Sequence, residues 1–449
     1  MRQTQPQERA PHTASRIMAM MPAVPRVWLV AGGGWIGRGL QVVAQLVAIR
    51  ILTDGLGTEG YGAFAVLGSL VGWLALSDFS IAISLQNHIS ERRADGRDAD
   101  DIIFTASILS AMAAGAFALV LWLAGPWLSA LLLGEFDLDP HIGTLAFYAM
   151  ALPGIGTALG GVAYKIWFAE HRGYLSNLVP AAGTMLGTMA VWLAVRAQPE
   201  ALLPWTVLLY YAPLAILPLL ALAWRAFRAR SHRFRGDLVR PLIHRAFRFW
   251  FFGVLAAAVL QVDYIIMAQV LPARDIVVYN VASKIFQLVF FVYNALLMAL
   301  WPVCSEAIAR GEWSRIFPMI RRYIVIGAGF TLSCGIGIAL FNPLVVNIVA
   351  PTLAAPLPFV VIALLTFYTV VRIWSDTFSM LLMSMNDLKI LWLVVPVQSL
   401  LSIALQTLGA SWFGLPGLII GLIACFMLTV VWVLPMRCRS YTRRLAHSY

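Results

Sequence analysis

Twelve runs of roughly 20 predominantly apolar residues follow one another through this chain, separated by short stretches of Pro, Gly and charge. At a helical rise of about 1.5 Å per residue, each run is long enough to cross about 30 Å of hydrocarbon. They cover approximately residues 27–49, 61–84, 102–124, 142–166, 176–195, 202–223, 249–271, 277–301, 322–341, 357–384, 389–408 and 414–435. The loops left over hold at most about 25 residues, too few to pack a separate core. Composition agrees, since 61% of the 449 residues are hydrophobic and only 12% are charged, about half the share of a soluble protein. The expected fold is an all-α integral membrane protein, with about 12 transmembrane helices in two six-helix lobes around a central cavity.

The basic residues predict its orientation. Arg2, Arg9, Arg16 and Arg26 precede the first run, and Arg92, Arg93 and Arg97 follow the second. The loop PWLSALLLGEFDLDP after the third has no Lys or Arg, whereas the stretch from Arg225 to Arg248 carries eight arginines and the C-terminal tail four. By the positive-inside rule both termini are expected in the cytoplasm of a multi-pass membrane protein. Residues 1–24 are polar and hold no apolar core, so the first run itself is the expected targeting element. The net charge of +11 sits in these juxtamembrane loops, which speaks against nucleic acid as a partner and for the bilayer. Cys304, Cys334, Cys425 and Cys438 lack metal spacing and read as reduced structural thiols.

The arginine-rich stretch divides the runs six and six. The expected organisation is a tail over 1–26, a lobe over 27–224, a basic linker over 225–248, a second lobe over 249–436 and a tail over 437–449. TDGLGTEGYGAFAVLGSL and QVLPARDIVVYNVASKIFQL form a weak internal echo, in which a Leu and a polar turn precede the tyrosine that opens a helix, Tyr61 or Tyr279. Repeats of this kind place a substrate site near the midplane, between the halves.

Polar residues inside the apolar runs point to that site. Asn280, Lys284, Gln287 and Asn294 recur at spacings of four, three and seven, one helical face, while Phe286, Val289, Phe290 and Leu297 occupy others. Arg38, Gln41 and Gln45 form a similar stripe in the first run, and Arg372, Asp376 and Ser379 share a face in the tenth. An ionised group at the bilayer centre costs about 2.5–3.5 kcal/mol on insertion scales, so such groups face a bundle interior or a wet cavity. Some have simpler explanations. Arg50 and Lys165 lie near helix ends, from which long stems reach the interface. Arg372 and Asp376 are one turn apart and can neutralise each other, and interface water can solvate Asp78. Arg38, Lys284 and Asp263 are deep, with no opposite charge four residues away. A cavity holding Arg38, Lys284, Arg372 and Lys165, lined by Gln41, Gln45, Asn280, Gln287 and Asn294, suits an anionic head group bearing hydroxyls. Asp263, followed by Asp376 and Asp78, is the candidate for coupling to a proton or sodium gradient.

The stretch RILTDGLGTEGYGAFAVLGSLVGWLALSDFSIAISLQNHIS also resembles the N-terminal signature of the polysaccharide transporters, the O-antigen and exopolysaccharide flippases of the multidrug/oligosaccharidyl-lipid/polysaccharide exporter superfamily. Arg50-Ile51-Leu52, Gly60-Tyr61-Gly62 and Asp78-Phe79-Ser80 stand where that pattern has Arg-x-Leu, Gly-Tyr-Gly and Asp-Leu-Gly, with Ser80 in place of the glycine. Asp263, Tyr279, Trp301-Pro302 and Ser305 extend the resemblance into the second half. It implies translocation of a polyprenyl-diphosphate-linked oligosaccharide across the inner membrane by alternating access, with other polysaccharide-assembly proteins as partners. A multidrug or cation exporter of the same superfamily is the nearest alternative, but its cavity calls for acidic groups where this chain places basic ones. A membrane enzyme of lipid-linked sugars, a polymerase or ligase, would have only Asp54, Glu59, Glu135, Asp137, Asp139, His141, Arg274 and Asp275, scattered over outer loops. No enzymatic activity and no cofactor are expected, and no Gly-rich phosphate loop of the ATPase type is present.

Overall fold

The computed structural model describes residues 26–170, 172–197, 199, 201–228, 233–351, 353, 355–385 and 389–446. The expectations for residues 1–25 lie outside the described residues. All regular structure among the described residues is helical. In chain order the helices are α1 (Arg26–Leu74), α2 (Ile81–Ala94), α3 (Asp100–Leu133), α4 (Pro140–Ala169), α5 (Leu175–Ala197), α6 (Leu202–Phe227), α7 (Gly236–Leu260), α8 (Asp263–Val270), α9 (Ala273–Ala309), α10 (Trp313–Leu340), α11 (Asn342–Val349), α12 (Phe359–Ser384), α13 (Lys389–Leu428) and α14 (Val430–Ala446). Hydrocarbon offers backbone amides no partner, and a helix satisfies each within its own segment.

Ten of the described stretches are long and apolar enough to cross a bilayer. Two count twice, because α1 and the continuous stretch of α13 and α14 are each broken by a glycine of left-handed φ, Gly57 (φ 67°, ψ −174°) and Gly414 (φ 63°, ψ −145°). A side chain is strained at either position. Around Gly414 the halves of α13 fold back tightly, since a Cβ on Gly409 would lie 2.1 Å from the carbonyl oxygen of Gly417. The described residues thus form twelve membrane-crossing segments, and α3 presents Leu119, Trp122, Leu123 and Trp127 outward as a lipid-facing wall.

Helices α1 to α6 pack among themselves as one lobe and α9 to α14 as the other. Residues 236–248, inside the expected linker, form the first half of α7. This helix leans across both lobes: Leu242 and Ala246 join an apolar cluster of α2, α3, α4 and α6, whereas Val259 joins one of α10, α12, α13 and α14. At the end that carries the arginine-rich loops, ion pairs pin the helices, with Arg225 on Asp100 (2.8 Å), Arg92 and Arg235 on Asp101 (3.4 and 3.2 Å) and Arg245 on Glu91 (2.9 Å). The opposite, arginine-poor end is closed by one core containing Tyr61, Phe64 and Leu67 of α1 together with Ile276, Val277, Val281 and Phe286 of α9. The lobes meet there and part toward the basic end, where the remaining clusters cross between them only through α7.

Candidate functional site

Below that closure lie three adjoining cavities, two between the lobes and one on the side of the second lobe. The largest, about 400 Å³, runs between α1, α6, α8 and α9 and is bordered by Gln41, Gln45, Tyr61, Tyr211, Asn280 and Lys284. A second, about 230 Å³, shares Gln41, Gln45 and Lys284 with it and adds Arg38. A third, about 210 Å³, extends into the second lobe along Asp263, Tyr279, Tyr368 and Arg372. Gln287 borders all three.

The polar stripe of α9 therefore faces this space. Lys284 has no carboxylate within 4.0 Å among the described residues. Arg38 is exposed and lies 5.7 Å from the centre of the Phe291 ring, a cation–π contact that leaves its N–H groups available. Asn280 is buried and spent: its Oδ1 accepts from the Tyr61 hydroxyl at 2.7 Å and its Nδ2 donates to the Tyr264 hydroxyl at 2.7 Å. This chain ties α1 to α8 and α9 across the closure. Asn294 lies two turns beyond Gln287, past the depth of the cavities, and borders none of them. Phe286 and Phe290, expected on other faces, line the third cavity.

Asp263 opens α8, directly after the break at Gln261 and Val262, so its carboxylate sits at a helix N-terminus, which favours negative charge. Its Oδ2 accepts from the Tyr279 hydroxyl at 2.5 Å and its Oδ1 from the Tyr264 N–H at 3.0 Å. Broken helices of this kind put irregular backbone where it lines a cavity. Arg372 also borders the third cavity, but is engaged. Its Nε and Nη2 donate to Asp376 Oδ2 at 3.2 and 3.0 Å, and its guanidinium lies 4.9 Å from the Phe290 ring and 5.8 Å from Phe426.

Lys165 and Asp78 stand apart from the cavities and feel each other's charge at the basic end of the first lobe. Asp78 is buried because it holds a chain reversal, its two oxygens accepting from the N–H groups of Ser80 at 2.8 Å and Ala82 at 3.1 Å. Asp139, one of the outer acids, caps α4 through the N–H of His141 at 2.7 Å.

Sequence reasoning passed over the tyrosines and Gln261. Tyr61, Tyr210, Tyr211, Tyr264, Tyr279 and Tyr368 border the cavities, and Gln261, in the helix break, borders two of them. A tyrosine in an apolar run reads equally as core or as membrane-interface residue. The signals were the internal echo and the family resemblance, which share Tyr61 and Tyr279, and both tyrosines make hydrogen bonds at this closure.

Residues 30–308 match the family described as "Polysaccharide biosynthesis protein". A protein of Yersinia pseudotuberculosis, described as "Putative O-antigen export protein", is 38% identical over 430 residues, covering 94% of this chain and 98% of the relative. The fold is that of a multidrug resistance transporter of the MATE family in the MOP superfamily, in an inward-facing conformation (TM-score 0.73, 13% identity, 90% of this chain and 96% of the other). It is equally that of the lipid II flippase MurJ in an inward closed conformation (TM-score 0.70, 12% identity, 92% and 87%). Matched over more than half its length by the family and almost end to end by the Yersinia relative, the chain belongs to the polysaccharide biosynthesis protein family.

Proposed function

We propose that the protein is a flippase that carries polyprenyl-diphosphate-linked oligosaccharide from the cytoplasmic to the outer leaflet of the bacterial inner membrane. Lobes 27–224 and 249–436 rock about the cavity, with 225–248 connecting them and the lipid tail remaining in the bilayer. The observation that carries this reading is Lys284, a cation without a carboxylate partner among the described residues, facing an inter-lobe cavity whose other polar lining is amides, tyrosines, Ser69 and Thr184. With Arg38 it offers two positive charges to a diphosphate of about two negative ones, and charge-assisted hydrogen bonds of this kind are the strong ones. The name of the Yersinia relative, an O-antigen export protein, supports the same substrate class.

The basic end is assigned to the cytoplasm by its arginines, both termini with it, and the cavity then faces the side on which the substrate is made. Asp263 is assigned the coupling role, because it alone of the three candidate carboxylates borders one of the three cavities, the third; Asp376 is held by Arg372 and Asp78 by the N–H groups of Ser80 and Ala82. Proteins that make and consume the lipid-linked sugar are the expected partners.

Complementation of a flippase-deficient strain tests the reading. Lys284→Ala is expected to abolish surface polysaccharide at unchanged protein level, Lys284→Arg to retain part of it, and the control Leu123→Ala, on the outward wall of α3, to retain all of it. Full activity of Lys284→Ala, or equal loss in Leu123→Ala, would remove Lys284 from the substrate path.

A further inference from the structure

We infer that the largest of the three adjoining cavities is a sugar subsite, in which the lipid-proximal pyranose rings stack on Tyr211 while the diphosphate stays beside Lys284 and Arg38. This rests on the flippase reading and adds to it a division of labour within the site. The wall between α1 and α6 is an aromatic cluster: Phe64 stacks with Tyr211 at 5.9 Å and with Tyr61 at 6.3 Å, and Tyr210 meets Phe64 and Tyr211 edge-on at 5.6 and 4.9 Å. Tyr61, Phe64 and Tyr210 are buried in that cluster, whereas Tyr211 is only half-buried and turns toward the cavity. Its hydroxyl has no hydrogen-bond partner among the described residues.

The backbone holds this wall rigid. Helix α6 lies so close to α5 that a Cβ on Gly187 would come within 2.2 Å of the Tyr210 carbonyl oxygen, and one on Gly183 within 3.2 Å of the Leu214 Cα. Small residues four apart permit such approach between membrane helices, and here they fix the height of the tyrosine pair.

A pyranose ring presents an apolar C–H face and a rim of hydroxyls. An aromatic face with its negative quadrupole takes the first, and amides serve the second. The amides of Gln41, Gln45 and Gln287 border this cavity and make no hydrogen bond to the described residues, so donors and acceptors remain for hydroxyls. Organic cations also bind aromatic faces. They are disfavoured here, because no carboxylate borders this cavity among the described residues and Lys284 does. Lys284 also borders the smaller cavity that holds Arg38, which puts the charged linkage at one mouth and the sugars beside the aromatic wall. A volume of about 400 Å³ accommodates the first sugars of a repeat, not a polymer.

The test measures binding to the purified full chain of three probes: the water-soluble diphospho-oligosaccharide released from its lipid, inorganic pyrophosphate and tetraphenylphosphonium. Tyr211→Leu is expected to weaken the diphospho-oligosaccharide about tenfold, the size of a stacking contact, and to leave pyrophosphate unchanged. Tyr211→Phe retains the ring and is expected to bind within about threefold of the original, a loss the size of one neutral hydrogen bond. Lys284→Ala is expected to weaken both anions. Equal loss of both anions in Tyr211→Leu, or of neither, overturns the subsite, as does tight binding of the phosphonium with none of the sugar. Translocation by the unsubstituted protein is measured in parallel: if it moves lipid-linked sugar while Tyr211→Leu binds normally, only the subsite fails; if it moves none, the flippase reading fails with it.

Discussion

Ser80 holds a backbone conformation that its side chain opposes. With Phe79 at φ 50° and Ser80 at φ 59°, two consecutive residues lie in the left-handed region, where Cβ crowds the following carbonyl at about 1–2 kcal/mol per residue. The glycine that the flippase signature has at this position is thereby explained. Ser80→Gly is expected to raise stability by up to about 1 kcal/mol, seen as a higher unfolding temperature in detergent, with activity unchanged. Asp78, whose carboxylate satisfies the N–H groups of Ser80 and Ala82 at that reversal, is a buried cap. Asp78→Ala is expected to lose about 1–2 kcal/mol while gradient coupling persists in the molecules that fold, whereas Asp263→Asn is expected to keep stability and lose coupling. A full response to an imposed ion gradient in Asp263→Asn contradicts that assignment. Residues such as Asn280, Lys284 and Gln287 were legible because helical periodicity alone puts them on one face. The role of Asp78 was not, because it depends on a chain reversal that no Gly or Pro announces.

At the scale of elements, the sequence showed how many times the chain crosses and roughly where. Apolar run length has a fixed physical counterpart in bilayer thickness; of the glycines that turn the chain, Gly57 lies within an expected loop and Gly414 is the first residue of the last expected run. The break between α7 and α8 was not legible. LAAAVLQVDYIIM contains no breaker, and what holds it open is tertiary: the Trp73 indole N–H donates to the Gln261 carbonyl at 3.4 Å and the Tyr279 hydroxyl to Asp263. The amphipathic first half of α7 was hidden likewise, because its eight-arginine neighbourhood reads as a solvated loop. Gly417→Ala tests the α13 hairpin. Its Cβ would fall 1.9 Å from the Gly409 carbonyl oxygen, and the halves must part. Loss of folded protein, or an unfolding temperature lowered by several degrees, is expected; an unaffected protein contradicts the close approach.

For the molecule as a whole, the arrangement of lobes was legible in outline, from the six-plus-six division and the echo around Tyr61 and Tyr279. Which end is shut was not, because closure depends on apolar surfaces of α1 and α9 that read alike whether they face lipid or each other. The Tyr61–Asn280–Tyr264 chain spans that closure, so Tyr61→Phe is expected to loosen it and raise the labelling of cysteines placed at Ala63 or Val277, both buried in it. Unchanged labelling would show that apolar packing alone holds the lobes. The central claim is that lipid-linked sugar crosses the membrane through the cavity at Lys284. Proteoliposomes containing the purified protein and lipid-linked oligosaccharide in the inner leaflet test it most directly, read by the rate at which the sugar becomes accessible to an external glycosidase. Accessibility is expected to rise with the unsubstituted protein and with Leu123→Ala, and to stay at the protein-free rate with Lys284→Ala. Sugar that remains inaccessible with the unsubstituted protein, or crosses equally fast with Lys284→Ala, would contradict it.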